Sequence, residues 1–95
     1  MDAEGGALSR EVEITNRLGL HARAAAKFVQ LAGKFESQIR VGRDSHEVDG
    51  KSILGILMLA ATQGTRLRIS AEGRDARQAL DALASFVAGR FGEGL

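Results

Sequence analysis

From Leu8 onward the chain alternates, with Leu8, Arg10, Val12 and Ile14 set against Ser9, Glu11, Glu13 and Thr15. That period of two predicts a half-buried strand. At Ala22 the period changes. Ala22, Ala25, Phe28, Val29 and Ala32 share one face of a helix, Arg23, Lys27, Gln30 and Lys34 occupy the other, and Gly33 is the expected stop. Gln38 to Val41 then points Ile39 and Val41 inward, Gly42, Arg43 and Asp44 turn the chain, and His46 to Asp49 returns as the second arm of a hairpin. Ser52 is suited to cap a helix over Ile53 to Ala61, a stretch apolar nearly all round. So short a helix cannot bury every side, which leaves an exposed apolar patch. Thr65 to Ala71 alternates again, with Leu67, Ile69 and Ala71 inward. Asp75 opens a last helix whose Ala76, Ala79, Leu80, Leu83, Phe86 and Val87 repeat at helical spacing to about Arg90.

Strand, helix, strand, strand, helix, strand, helix is an order that suits a split arrangement, with the last strand inserted between the first two. The expected class is α+β, an open-faced β-sandwich: a four-stranded antiparallel sheet with three helices on one face. The other face carries Glu11, Glu13, Arg40, Glu47, Arg66 and Arg68 and should meet water. Ninety-five residues leave room for one core, so residues 1–95 read as a single domain, with 1–7 a loose leader and the glycine-rich 91–95 a frayed tail.

Composition narrows the function classes. The chain is 44% hydrophobic and 26% charged, without an apolar run long enough to span a membrane, and its acidic, glycine-rich start lacks the basic and apolar regions of an export signal. A cytoplasmic, monomeric protein is expected. With no cysteine there are no disulfides, thiolate metal sites or cysteine nucleophiles. Thirteen basic residues against twelve acidic ones, and four Phe as the only aromatic residues, disfavour nucleic acid as a partner. His21 and His46 have no metal-ligand spacing, and no glycine pattern forms a nucleotide cradle, so neither metal nor cofactor is expected.

His21 lies between the first strand and the first helix, where unpaired amides and the positive end of the helix dipole converge on an anion. Arg23 could grip phosphate oxygens there. Local physics alone leaves two readings of His21, a plain helix-start residue or a phosphoryl acceptor. It likewise leaves Ser52 fully explained as a cap.

Residues Asn16 to Ala26, NRLGLHARAAA, closely resemble the active-site segment of the HPr family, the histidine-containing phosphocarriers of the bacterial phosphotransferase system, whose pattern runs G-L-H-A-R-P-A. Lys51 to Leu59, KSILGILML, resembles the family's regulatory-serine helix. Gln63 to Gly73, in its wider setting TQGTRLRISAEG, resembles its last strand and turn. The resemblance runs from Glu11 to Val87 with the segments in the family's order. It implies that His21 is the phosphorylated residue, through Nδ1, that Arg23 assists at the phosphate, and that Ser52 is the target of an HPr kinase/phosphorylase. It also implies docking of enzyme I and enzyme IIA-type proteins on a surface of Ala22, Lys27, Lys51, Ile53, Leu54 and Leu57. The carrier would be a substrate of its partners more than an enzyme, in sugar uptake or in a nitrogen-related branch. The alternative is a regulatory interaction module switched at Ser52, with His21 unused. One departure stands out: Ala24 replaces the family's usual proline, which is suited to a helix's first turn.

Overall fold

A computed structural model describes residues 7–93. Seven elements follow in the expected order: β1 (Ala7–Glu13), α1 (Ala22–Ala32), β2 (Gln38–Arg43), β3 (His46–Asp49), α2 (Ile53–Met58), β4 (Arg66–Glu72) and α3 (Ala76–Ala88), and a 3-10 turn at Arg90–Gly92 closes the chain. The sheet runs β1-β4-β2-β3 with every pair antiparallel, so β4 is inserted between β1 and β2.

Register follows from which side chains can be buried together. Val12 lies opposite Leu67, Arg10 opposite Ile69 and Leu8 opposite Ala71, while Ile39 and Val41 face Ala71 and Ile69 from the other side. This apolar face packs beneath the three helices, with Ile39, Val41, Leu67, Ile69 and Ala71 buried against Phe28, Ile56, Leu80, Leu83 and Val87. On the bare face Glu11 lies opposite Arg68 and Glu13 opposite Arg66, and Arg66 reaches diagonally to Glu11 at 3.5 Å. Alternating charge of this kind suits a sheet open to water.

Several boundaries differ from expectation. In α1 the buried positions are Ala24, Ala25, Phe28 and Ala32, and Ala22 is exposed. At about 100° per residue Ala22 lies well off the centre of that face, whereas Ala24 lies within it. Strand β2 continues to Arg43, and the hairpin turns at Asp44, whose φ of 55° is left-handed. Helix α2 ends at Met58 rather than Ala61, because Ala60 turns left-handed at φ 50°. Asp75 precedes α3 but does not cap it. Its carboxylate accepts instead from the Glu36 and Ser37 amides, at 2.9 Å each, and from the Ser37 hydroxyl at 2.5 Å, tying the start of α3 to the entry of β2.

Ala7 and residues 91–93 are more ordered than a leader over 1–7 and a frayed tail over 91–95 imply. Ala7 already pairs with Glu72 in the sheet, and residues 1–6 lie outside the described residues. Phe91 is buried in the core and packs edge-on to Phe86, with ring centroids 5.4 Å apart at 81°. Residues 94 and 95 lie outside the described residues.

Candidate functional site

The loop from β1 to α1 is fastened at several points. The Ile14 amide donates to the Thr65 carbonyl at 2.9 Å, the Gly64 amide to the Ile14 carbonyl at 2.7 Å, and the Leu20 amide to the Ala61 carbonyl at 2.9 Å. A turn from Asn16 to Gly19 brings the loop against the connection between α2 and β4. Gly19 is required at that approach: its φ is 67°, and a Cβ there would stand 2.5 Å from the Ala61 carbonyl oxygen.

The fastened loop delivers His21 to the N-cap of α1 in extended conformation (φ −77°, ψ 177°). Its carbonyl accepts from the Ala25 amide at 2.8 Å, the first bond of the helix. Among the described residues the amides of Ala22, Arg23 and Ala24 have no hydrogen-bond partner, as expected for a first helical turn. These donors and the helix dipole favour a negative group by roughly 0.3–1 kcal/mol.

The His21 ring is about a quarter exposed, at 26% of its side chain. Its Nε2 meets the Glu93 carboxylate, and the other Glu93 oxygen accepts from Asn16 Nδ2 at 2.9 Å. Asn16 is fully buried and spends its second amide hydrogen on the Gly19 carbonyl, also at 2.9 Å. The hydrogen bond to His21 is the largest influence holding the Glu93 carboxyl below the usual glutamate range. The bond from Asn16 and the positive charge of Lys27 add to it, against burial acting the other way. The carboxylate is therefore ionised at neutral pH and can only accept, which places a proton on Nε2; in the neutral tautomer with that proton, Nδ1 is the nitrogen that carries the lone pair.

Arg23 and Lys27 are exposed and line one groove with Leu18, Gly92 and Glu93, the residue whose carboxylate meets His21. Ser52 belongs to a different element. Its Oγ caps α2 by accepting from the Gly55 amide at 3.0 Å. Beside it, Ile53, Leu54 and Met58 are exposed, Ile56 and Leu59 are buried, and Leu57 is half-buried against the core. Lys51, expected in a basic fringe, is half-buried and donates its Nζ to the Phe35 carbonyl at 2.7 Å. His46 stands apart on β3, and no group of three or more potential metal ligands occurs among the described residues.

Sequence reasoning missed Asn16, Leu18 and Glu93. Leu18 is 69% exposed in the β1–α1 loop and lines the groove with Arg23 and Lys27. Its apolar character in a polar turn was the available signal. For Asn16 and Glu93 there was none, since their meeting spans 77 residues.

A family model described as the PTS HPr component phosphorylation site matches residues 8–89. The phosphocarrier protein HPr of Cupriavidus necator is 51% identical over 87 residues, covering 92% of this chain and 98% of its own. That of Pseudomonas aeruginosa is 53% identical over 85 residues, covering 88% and 94%. Among solved structures, the crystal structure of HPr-C-His from Thermoanaerobacter tengcongensis superposes with a TM-score of 0.89 at 48% identity, covering 93% of this chain and 99% of that one.

Proposed function

Since the chain belongs to the HPr family, the phosphocarriers of the phosphotransferase system, we propose that His21 is its acceptor: it takes a phosphoryl group from phosphorylated enzyme I and passes it to a histidine of an enzyme IIA-type protein in the cytoplasm. The observation that carries this reading is a partly exposed imidazole at the start of α1, where among the described residues neither Nδ1 nor the amides of Ala22, Arg23 and Ala24 have a hydrogen-bond partner. Transfer requires a lone pair on an accessible nitrogen and donors for the phosphoryl oxygens. Those amides and the Arg23 guanidinium supply the donors. Chemistry that demands more than this falls to the partners.

The partners would dock on Leu18, Ala22, Lys27, Ile53, Leu54 and Met58, an apolar surface with a basic edge. Leu57 serves mainly as support from below, and Lys51 as a clamp on Phe35. Ser52 reads as a second, regulatory site for an HPr kinase/phosphorylase. Its hydroxyl accepts one bond as a cap and donates none among the described residues, and a phosphate there would put nearly two negative charges beside Ile53 and Leu54. Docking should weaken accordingly.

The test is incubation with enzyme I and phosphoenolpyruvate, followed by intact mass. The chain should gain one acid-labile phosphoryl group and the His21→Ala variant none. An adduct of equal stoichiometry on His21→Ala would overturn the assignment.

A further inference from the structure

Beyond the nucleophile itself, we infer that Glu93, held by Asn16, is a positioning residue for phosphoryl transfer: it keeps a proton on Nε2 of His21 throughout the cycle. The inference rests on the carrier role of His21 proposed above. It is carried by the contact of the Glu93 carboxylate with Nε2 and by the Asn16 amide on the other oxygen, in a tail whose Phe91 is anchored in the core.

The chemistry needs that proton. On acceptance, the Nδ1 lone pair forms a bond to phosphorus while the donor's nitrogen–phosphorus bond breaks and its electron pair returns to the donor imidazole. His21 now carries the phosphoryl group on Nδ1 and the original proton on Nε2, so the ring is cationic and faces the Glu93 carboxylate. On release, the acceptor's imidazole attacks phosphorus, the bond to Nδ1 breaks, and its electron pair returns to Nδ1. The leaving group is neutral imidazole only if Nε2 still holds its proton. Without it the leaving group would be an imidazolate, a far poorer one. The carboxylate opposes loss of that proton, as it does behind other catalytic imidazoles.

The surroundings also balance the carboxylate's charge. Arg23 and Lys27 line a groove together with Glu93, so the cations that would meet the phosphoryl oxygens also offset the charge of the carboxylate that holds Nε2. Asn16, fully buried and bonded to the Gly19 carbonyl, ties the carboxylate to the same loop that delivers His21. Loop, ring and tail are therefore set as one unit.

Glu93→Gln preserves size and removes the charge at a side chain that is still 17% exposed, so the variant should fold. Two readouts are compared in the full-length chain. Wild type should show a downfield, exchange-protected imidazole proton coupled to Nε2 in nitrogen-15 spectra, and Glu93→Gln should lose it. At saturating enzyme IIA-type acceptor, the maximal transfer rate from the phosphorylated variant should fall about ten- to a hundredfold, the range for outer-shell carboxylates behind metal-bound histidines, with KM little changed. A variant that keeps either the proton signal or the wild-type maximal rate overturns the role of Glu93. A wild-type chain that gains no phosphoryl group overturns the carrier reading instead.

Discussion

Truncating Phe91 to alanine separates an integral C-terminal turn from a frayed one. Phe91 is 1% exposed and packs edge-on against Phe86 at 5.4 Å. Removing a buried phenylalanine costs about 3–5 kcal/mol, of which the ring pair accounts for roughly 0.5–1.5. An escape route limits the loss. If Arg90–Glu93 detaches, each freed residue regains roughly 1–2 kcal/mol of backbone entropy, and Arg90 and Phe91 leave left-handed conformations at φ 59° and 55°. The expected cost is therefore at the lower bound, about 3 kcal/mol. With a urea dependence of about 1.5 kcal/mol per molar, the unfolding midpoint should fall by about 2 M. Circular dichroism is the suitable probe, because the chain has neither Trp nor Tyr. Phe91→Leu, which keeps most of the apolar volume, should lose about 1.5 kcal/mol or less. A drop below about 0.3 M for Phe91→Ala lies within the range of surface substitutions and would refute the docked turn.

Arg23→Ala should leave stability unchanged, because the side chain is exposed, and should slow transfer at saturating partner by about tenfold or more, the worth of one charge-assisted bond; an unchanged maximal rate assigns it to the rim. Gly19→Ala should destabilise by more than the roughly 1–2 kcal/mol of a left-handed alanine, since its Cβ collides with the Ala61 carbonyl, and calorimetry showing no loss contradicts the close approach. Ser52→Ala should cost about 1 kcal/mol through the lost cap, read from a urea midpoint. Asp75 is held below its ordinary value chiefly by the Ser37 hydroxyl and then by the Glu36 amide. A depressed carboxyl stabilises the fold above the unfolded value, about 3.9, and that contribution disappears as pH falls through the lower folded value. The stability gap between wild type and Asp75→Ala should accordingly be constant near neutrality and close in acid; a gap independent of pH contradicts the Ser37 tie.

The period-two and helical patterns placed all four strands and three helices, because those patterns are written by burial against a single face. Boundaries moved where one backbone conformation decided the matter. Ala60 stops α2 at φ 50°, and nothing in an alanine announces a left-handed turn. The inward position of Ala24 rather than Ala22 could be read only with a centre for the helical face, which Phe28 and Ala32 supply once the core is assembled. The positions of His21 and Ser52 at helix starts were legible because each lies in a short motif where a helical pattern begins. The bond of Lys51 to the Phe35 carbonyl was not legible, because a long cationic side chain beside an apolar helix has two outcomes and that carbonyl is 16 residues away.

The tail is the instructive failure. Gly89, Gly92 and Gly94 imply looseness when composition is the only guide, yet the segment needs an abrupt reversal to return Phe91 to the core, and Gly92 at φ 77° follows two left-handed residues to complete it. Glycine here serves geometry. Once Phe91 is seated, Glu93 has little freedom left and lands on the imidazole that the β1–α1 loop presents from the other end of the chain. A contact across 72 residues leaves no local pattern in either segment. It follows that an anchor and its function are separable: Phe91→Ala should weaken both stability and the Nε2 contact, whereas Glu93→Gln should weaken the contact and leave the fold nearly as stable. A Glu93→Gln chain destabilised as much as Phe91→Ala would mean that the carboxylate holds the tail, instead of the tail holding the carboxylate.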